Sequence, residues 1–144
     1  MASSLSDNLS IFELKLKAGM TAGLKLAGEL ITETARGYIG QELPDWAPLA
    51  ETTTREKRRL GYSGQISITD PLLRTGELRD SIGYSIDPET WTLRVGSTDP
   101  VAIWQEEGTD TIPPRPFLAR AAAEKADEVA AIIEREITAA LRSR

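Results

Sequence analysis

The chain has 144 residues, of which 17 are basic and 22 acidic, so its formal net charge is −5. A chain of this length forms one domain and buries a core of its own. Cysteine and histidine are both absent. This excludes disulfides, thiolate nucleophiles, imidazole bases and thiol or imidazole metal sites. The excess of acidic residues disfavours a surface that binds nucleic-acid phosphates.

The sequence predicts a single α+β domain over residues 1–144, built on an antiparallel sheet of about four strands. Residues 1–9 are small and polar, and we expect them to be flexible. Over residues 11–17 apolar and charged side chains alternate, which is typical of a strand with one buried face. The apolar spacing then becomes helical and predicts a helix at about 20–39.

A short helix is predicted near residues 53–60, because Thr53 and Glu56 have the spacing of a capping box. It contains the only concentrated positive charge of the sequence, formed by Arg55, Lys57, Arg58 and Arg59. This cluster is either a solvated helix face or a contact to an acidic neighbouring subunit or to passing DNA. Residues 61–70 follow as an exposed, glycine-containing loop.

The second half of the chain supplies the remaining elements. A proline-containing turn between two alternating segments predicts a hairpin, and an apolar stripe at three- and four-residue steps predicts a long last helix. The predicted elements are a short helix near 76–80, strands at about 81–87, 91–96 and 101–106, and a helix at about 116–142.

No set of residues points to catalysis. Glu106 and Glu107 are adjacent and would lie on opposite faces of a strand, so they do not form a working carboxylate pair. The glycine turns lack the spacing of a phosphate loop, and no run of oxygen ligands predicts a cation site. We therefore predict no enzyme activity, no catalytic residue, no cofactor and no metal. Trp104 is left open between a partner contact and a sheet covered on both faces.

Several motifs occur in a fixed order between residues 46 and 121. The most specific are Thr-Gly-x-Leu-x-x-Ser-Ile at 75–82, and Gly108-Thr109 followed by IPPRPFL at 112–118. With Trp46-Ala47-Pro48-Leu49, Thr53, Lys57, Gly61, residues 71–74, Val95-Gly96 and residues 105–107, these motifs resemble the tailed-bacteriophage neck and tail-completion proteins. That group includes the virion morphogenesis proteins and the HK97 gp10-like proteins. Two residues depart from its pattern: Glu106 replaces a frequent aromatic residue, and Gln105 replaces a frequent histidine.

The resemblance implies a structural virion protein that is assembled in the host cytoplasm and forms a ring in the neck, as a hexamer or a dodecamer. The ring would complete the tail and join it to the DNA-filled head. DNA would pass through it without sequence-specific binding. The implied partners are further copies of the chain and other neck, portal-side and tail-tube proteins, with no membrane. The interface residues expected from these considerations are Arg55, Lys57, Arg58, Arg59, Trp104, Gln105, Glu106 and Arg115.

Three alternatives stay open. A tail terminator that caps the tail tube would occupy a neighbouring position in the same particle. A nucleic-acid-binding module would use the 55–59 cluster and Trp104, and its binding would weaken steeply with salt. A small hydrolase using Asp or Glu is the third. For the isolated chain we expect a monomer or a weak mixture of oligomers.

Overall fold

The computed structural model describes residues 4–40, 77–111 and 113–144, together with Trp46, Arg55 and Arg59. Within these residues the fold consists of two long helices, two short helices and one hairpin. The elements are α1 (Leu5–Tyr38), α2 (Glu77–Ser81), β1 (Ile82–Asp87), β2 (Thr92–Ser97), α3 (Val101–Glu107) and α4 (Leu118–Arg142).

Helix α1 begins at a capping box and continues without interruption for 34 residues. The Ser4 Oγ accepts a hydrogen bond from the Asp7 backbone N–H at 3.1 Å, and the Asp7 carboxylate accepts one from the Ser4 N–H at 3.2 Å. These bonds satisfy donors that a helix N-terminus otherwise leaves unpaired. At 1.5 Å per residue, α1 is a rod of roughly 50 Å.

The predicted strand at 11–17 is wrong, because these residues lie inside α1. The alternation there does not mark a buried face, since Phe12 and Leu14 are both half exposed or more. The same segment also carries a helical pattern: Leu5, Leu9, Phe12 and Leu16 are separated by four, three and four residues. That pattern, together with the cap at Ser4, extends over many more residues than the alternation does.

The predicted strand at 101–106 is also wrong, because these residues form α3. Asp99 and Pro100 start a helix here instead of a turn between strands. The Asp99 carboxylate accepts from the Val101 N–H at 2.9 Å, and its carbonyl accepts from the Ala102 N–H at 3.0 Å. Proline suits this position because its fixed φ fits the first helical turn. In the described residues the sheet therefore has two strands, where the sequence predicted about four.

The two long helices and the hairpin are confirmed. The predicted helix at 20–39 is the second half of α1, which ends at Tyr38, and the predicted C-terminal helix is α4. In the hairpin, Ile82 pairs with Ser97 and Asp87 with Thr92. The second strand begins one residue later than predicted because Trp91, at φ 52°, has the left-handed conformation that closes the turn.

Helices α1 and α4 pack antiparallel, and the hairpin packs against α1. The largest fully buried side chains are Phe117, Ile39 and Ile82, each at most 2% exposed and each from a different segment, and Ala102 of α3 joins their cluster at 4%. Two arginines join these segments through backbone carbonyls. Arg36 of α1 donates to the Ile82 carbonyl and Arg79 of α2 to the Ile39 carbonyl, both at 2.7 Å.

Glycines set how closely α1 approaches its neighbours. A Cβ at Gly19 would lie 2.7 Å from the Ile137 Cα, and one at Gly23 would lie 2.9 Å from the Ile133 Cα. Both positions therefore bring α1 against the backbone of α4, where no side chain can move aside. Small residues at this contact let the two helix axes approach more closely than larger residues would allow.

A polar cluster closes the other end of the α1–α4 contact. The Tyr38 hydroxyl donates a hydrogen bond to the Glu124 carboxylate, and the Arg120 guanidinium lies 5.7 Å from the centre of the Tyr38 ring. Arg120 also forms an ion pair with Glu124 at 3.2 Å. Burial, followed by the hydrogen bond to Glu124, raises the pKa of Tyr38 to about 12. The hydrogen bond from Tyr38 holds the pKa of Glu124 below its ordinary value.

We expect Gly19→Ala to lower the free energy of unfolding by roughly 1–2 kcal/mol, because overpacking at a backbone contact outweighs the gain in helix propensity. Gly37→Ala is the matched control, since a Cβ at that position in the same helix meets nothing within 4 Å. The control should be neutral or stabilising by up to ~1 kcal/mol. Urea unfolding of both variants measures the difference, and equal effects would contradict the close contact.

We expect the stabilising effect of the Tyr38 hydroxyl to disappear in alkali. The folded chain holds the Tyr38 proton more tightly than the unfolded chain, whose ordinary pKa is 10.0. The contribution is therefore complete below pH 10 and is lost as the pH rises toward 12, because the unfolded state loses its proton first. Unfolding of the wild type and of Tyr38→Phe should be compared across this range. A difference that is constant with pH would rule out the assignment.

Candidate interaction surfaces

The basic cluster predicted near 53–60 is only partly described. Arg55 and Arg59 are both helical and exposed. Lys57 and Arg58 lie outside the described residues, as does the predicted loop at 61–70. The two arginines therefore present positive charge at the surface.

Helix α3 presents two large apolar side chains to solvent. Ile103 is 62% exposed and Trp104 is 50% exposed, while their neighbour Ala102 faces the core. Their exposure follows from the helix, since the predicted strand would have alternated them between two faces. Exposed tryptophan is unusual on a surface that meets only water, because its large ring gains the most from burial at an interface. We refer to Ile103 and Trp104 together as the α3 patch.

Glu106 points the opposite way, into the junction between α3 and α4. Its carboxylate accepts three backbone hydrogen bonds, from Phe117 at 2.8 Å, Leu118 at 3.0 Å and Ala119 at 2.8 Å. These are the donors that a helix leaves unpaired at its N-terminus. A negative charge there is also stabilised by the helix dipole. Glu106 thus caps α4 from eleven residues upstream of its first capped N–H.

Gln105 and Arg115 belong to the same junction. The Arg115 N–H donates to the Gln105 carbonyl at 2.6 Å, which ties the entry of α4 to the end of α3. Gly108 makes this return possible, because it has a φ of 78° and ends α3 in a conformation that favours glycine. The Arg115 side chain is 4% exposed, and burial lowers its pKa. Of the four residues predicted between 104 and 115, only Trp104 projects from the surface.

The first turns of α1 form a second exposed apolar surface, which the sequence interpretation missed. Every residue from 4 to 14 is exposed. The Lys15 ammonium donates to the Ser143 carbonyl, which places the end of α4 beside Lys15. The earlier part of α1 therefore extends past α4 by roughly 15 Å. The N-terminal stripe, as we call it, comprises Leu5, Leu9 and Phe12, which share one face of α1 and are between 50% and 75% exposed. Ile11 and Leu14, 47% and 69% exposed, lie on other faces of the helix.

A sequence signal for this surface did exist. Ser4 and Asp7 have the spacing of a helix N-terminus, and Leu5, Leu9 and Phe12 have helical spacing. No comparable sequence signal indicated the role of Glu106, because the backbone N–H groups that donate to it lie eleven to thirteen residues later and reach it only through the turn at Gly108.

The described residues offer little to a small ligand. An open groove of about 390 Å³ lies between α1 and β1, lined by Glu29, Thr32, Glu33, Arg36, Gly83 and Tyr84. Among the residues that the structure describes, no three His, Cys, Asp or Glu side chains are grouped so that they could hold a metal ion. No helix in that part of the chain has the length and apolarity needed to cross a membrane.

Comparison with known proteins identified no relative of the chain. No protein-family model, curated protein or solved structure matches the chain. Its distinctive features are thus the two exposed apolar surfaces, the N-terminal stripe and the α3 patch, together with the Glu106 cap that fixes α3 against α4.

We expect Glu106→Gln to destabilise the fold by roughly 1–3 kcal/mol, because it removes charge-assisted hydrogen bonds to three backbone donors. The substituted amide also turns an NH₂ group toward an N–H that needs an acceptor. Glu107→Gln is the matched control, since Glu107 is adjacent and exposed, and should change stability by less than ~0.5 kcal/mol. Thermal and urea unfolding measure both, and equal stabilities would show that the cap contributes nothing.

Proposed function

We propose that this chain is a structural protein of a tailed-bacteriophage virion, one that forms a ring in the neck, completes the tail and joins it to the head. The observation that carries the proposal is a largely helical subunit with exposed apolar surfaces on two separate elements, the N-terminal stripe and the α3 patch. Surfaces of this kind serve binding to other macromolecules. The class of assembly comes from the motifs that resemble the neck and tail-completion proteins.

The positions of the motif residues support a role through shape rather than chemistry. Leu78 and Ile82, within the motif at 75–82, are 7% and 1% exposed, and Phe117 within the motif at 112–118 is fully buried. Large buried side chains of this kind determine how elements pack. The motifs therefore support a common fold with the neck and tail-completion proteins, and the surfaces around them are where binding to other subunits would take place.

The formal charge of −5 is compatible with the proposed position around DNA. The inner surface of a ring through which DNA slides should repel phosphates weakly instead of binding them, and an acidic subunit meets that requirement. Arg55 and Arg59, both exposed, would then face an acidic neighbouring protein rather than the DNA.

Deletion of the gene from the phage that encodes the chain tests the proposal. Electron microscopy of the lysate should show DNA-filled heads beside separate tails of normal length, because the joint between them is missing. Complementation from a plasmid should restore joined particles. Overlong or ragged tails would instead assign the chain to tail termination, and normal infectious particles would refute a role in the neck.

A further inference from the structure

The two exposed apolar surfaces lie far apart on the same chain. The α3 patch adjoins Ala102, which shares the core cluster with Tyr38 and Ile39 at the end of α1. The N-terminal stripe occupies the other end of the same helix, more than twenty residues earlier. At 1.5 Å per residue the two surfaces are separated by roughly 40 Å. They cannot cover each other within one chain.

The charges beside the two surfaces are of different kinds. Residues 95–111 contain no basic side chain, and the exposed Glu107 and Asp110 follow the α3 patch directly. The N-terminal stripe carries balanced charge, because residues 4–17 contain Asp7 and Glu13 as well as Lys15 and Lys17. Lys17 is partly compensated by its ion pair with Glu13 at 2.6 Å. The α3 patch is thus the more acidic of the two surfaces.

These charges decide between the ways in which two copies can meet. Pairing two α3 patches would place Glu107 and Asp110 against their own copies, and like charges at an interface oppose association. Pairing two stripes would leave both α3 patches in water. Contact between the stripe of one copy and the α3 patch of the next covers both surfaces and sets the acidic α3 patch against a segment with no net charge.

We propose that the N-terminal stripe of one copy docks on the α3 patch of a second copy, head to tail. Trp104 would be the central anchor, packed between Leu9 and Phe12 of its neighbour. A contact between two different surfaces is heterologous and can close into a ring. The inference rests on the proposed function in so far as a neck ring requires a heterologous contact of this kind.

The size of the contact fits a subunit that assembles only at high local concentration. Three large side chains of the stripe meet two of the α3 patch, and they bury well under the ~800 Å² per partner of a standard interface. One such contact is weak, but each subunit of a closed ring makes two. Closure therefore stabilises the ring far beyond an open dimer.

Cross-linking tests the contact directly, because the full chain has no cysteine of its own. Asn8→Cys marks the stripe and Glu107→Cys marks the α3 patch, both at exposed positions. With a short bismaleimide at high protein concentration, the mixture of these two variants should give a cross-linked dimer. Each variant alone should not. The double variant should give a ladder of species that ends at the closed ring.

Two controls separate docking from random collision. Asn8→Cys mixed with Glu89→Cys, which is exposed in the hairpin turn, should give only the background yield. Adding Phe12→Asp to the Asn8→Cys variant should reduce the dimer about tenfold, because it puts a charge into an apolar contact. Phe12 is half exposed and outside the core, so circular dichroism should show an unchanged fold.

The outcomes test this contact separately from the proposed function. Efficient dimers from Asn8→Cys alone would overturn the head-to-tail contact in favour of paired stripes, and a yield no higher than the Glu89 control would also overturn it. If either result accompanied separate heads and tails in the deletion lysate, the neck function would stand without this interface. The expected cross-links with normal deletion particles would retain the interface and refute the function.

Discussion

The antiparallel contact between α1 and α4 is the interaction on which the remaining structure depends. Gly19 and Gly23 bring the two backbones together at one end, and Tyr38, Arg120 and Glu124 fix the other end. Between these points the register is determined, because a shift of one turn would place a side chain where only glycine fits. The hairpin alone would be marginal in water, since two strands bury too little surface, and it is stable here because α1 covers it.

The same contact explains why α4 needs a cap from outside its own sequence. The start of α4 lies beside the core, where Phe117 is fully buried, so unpaired N–H groups there would not be fully hydrated. Glu106 supplies both oxygens to three of them. The carboxylate therefore does for α4 what Ser4 and Asp7 do for α1. The turn at Gly108 that brings it there also fixes the orientation of α3, and with it the direction in which Trp104 projects.

The extent to which the sequence predicted this fold follows from the range of each interaction. The hairpin and α4 were predicted because their signals are local: a proline turn in the first case and a long apolar stripe in the second. The segments at 11–17 and 101–106 were assigned as strands because a short alternation also fits part of a helix. What decides them is the cap at Ser4 and the start at Asp99. Among the predicted interface residues Trp104 is exposed, whereas Glu106 and Arg115 are held at a junction that forms only in three dimensions.

The N-terminal stripe is exposed because the two long helices differ in length. Helix α1 has 34 residues and α4 has 25, so one cannot cover the other along its full length. Leu5, Leu9, Phe12 and Leu16 continue the line on which Gly19 and Gly23 meet α4. This apolar face of α1 is buried against α4 at one end and exposed at the other. Because the capping box fixes the helix N-terminus, the exposed part is already helical before a partner binds. Binding of a partner to the exposed part therefore costs little conformational entropy, so that even a small contact area can give specific binding.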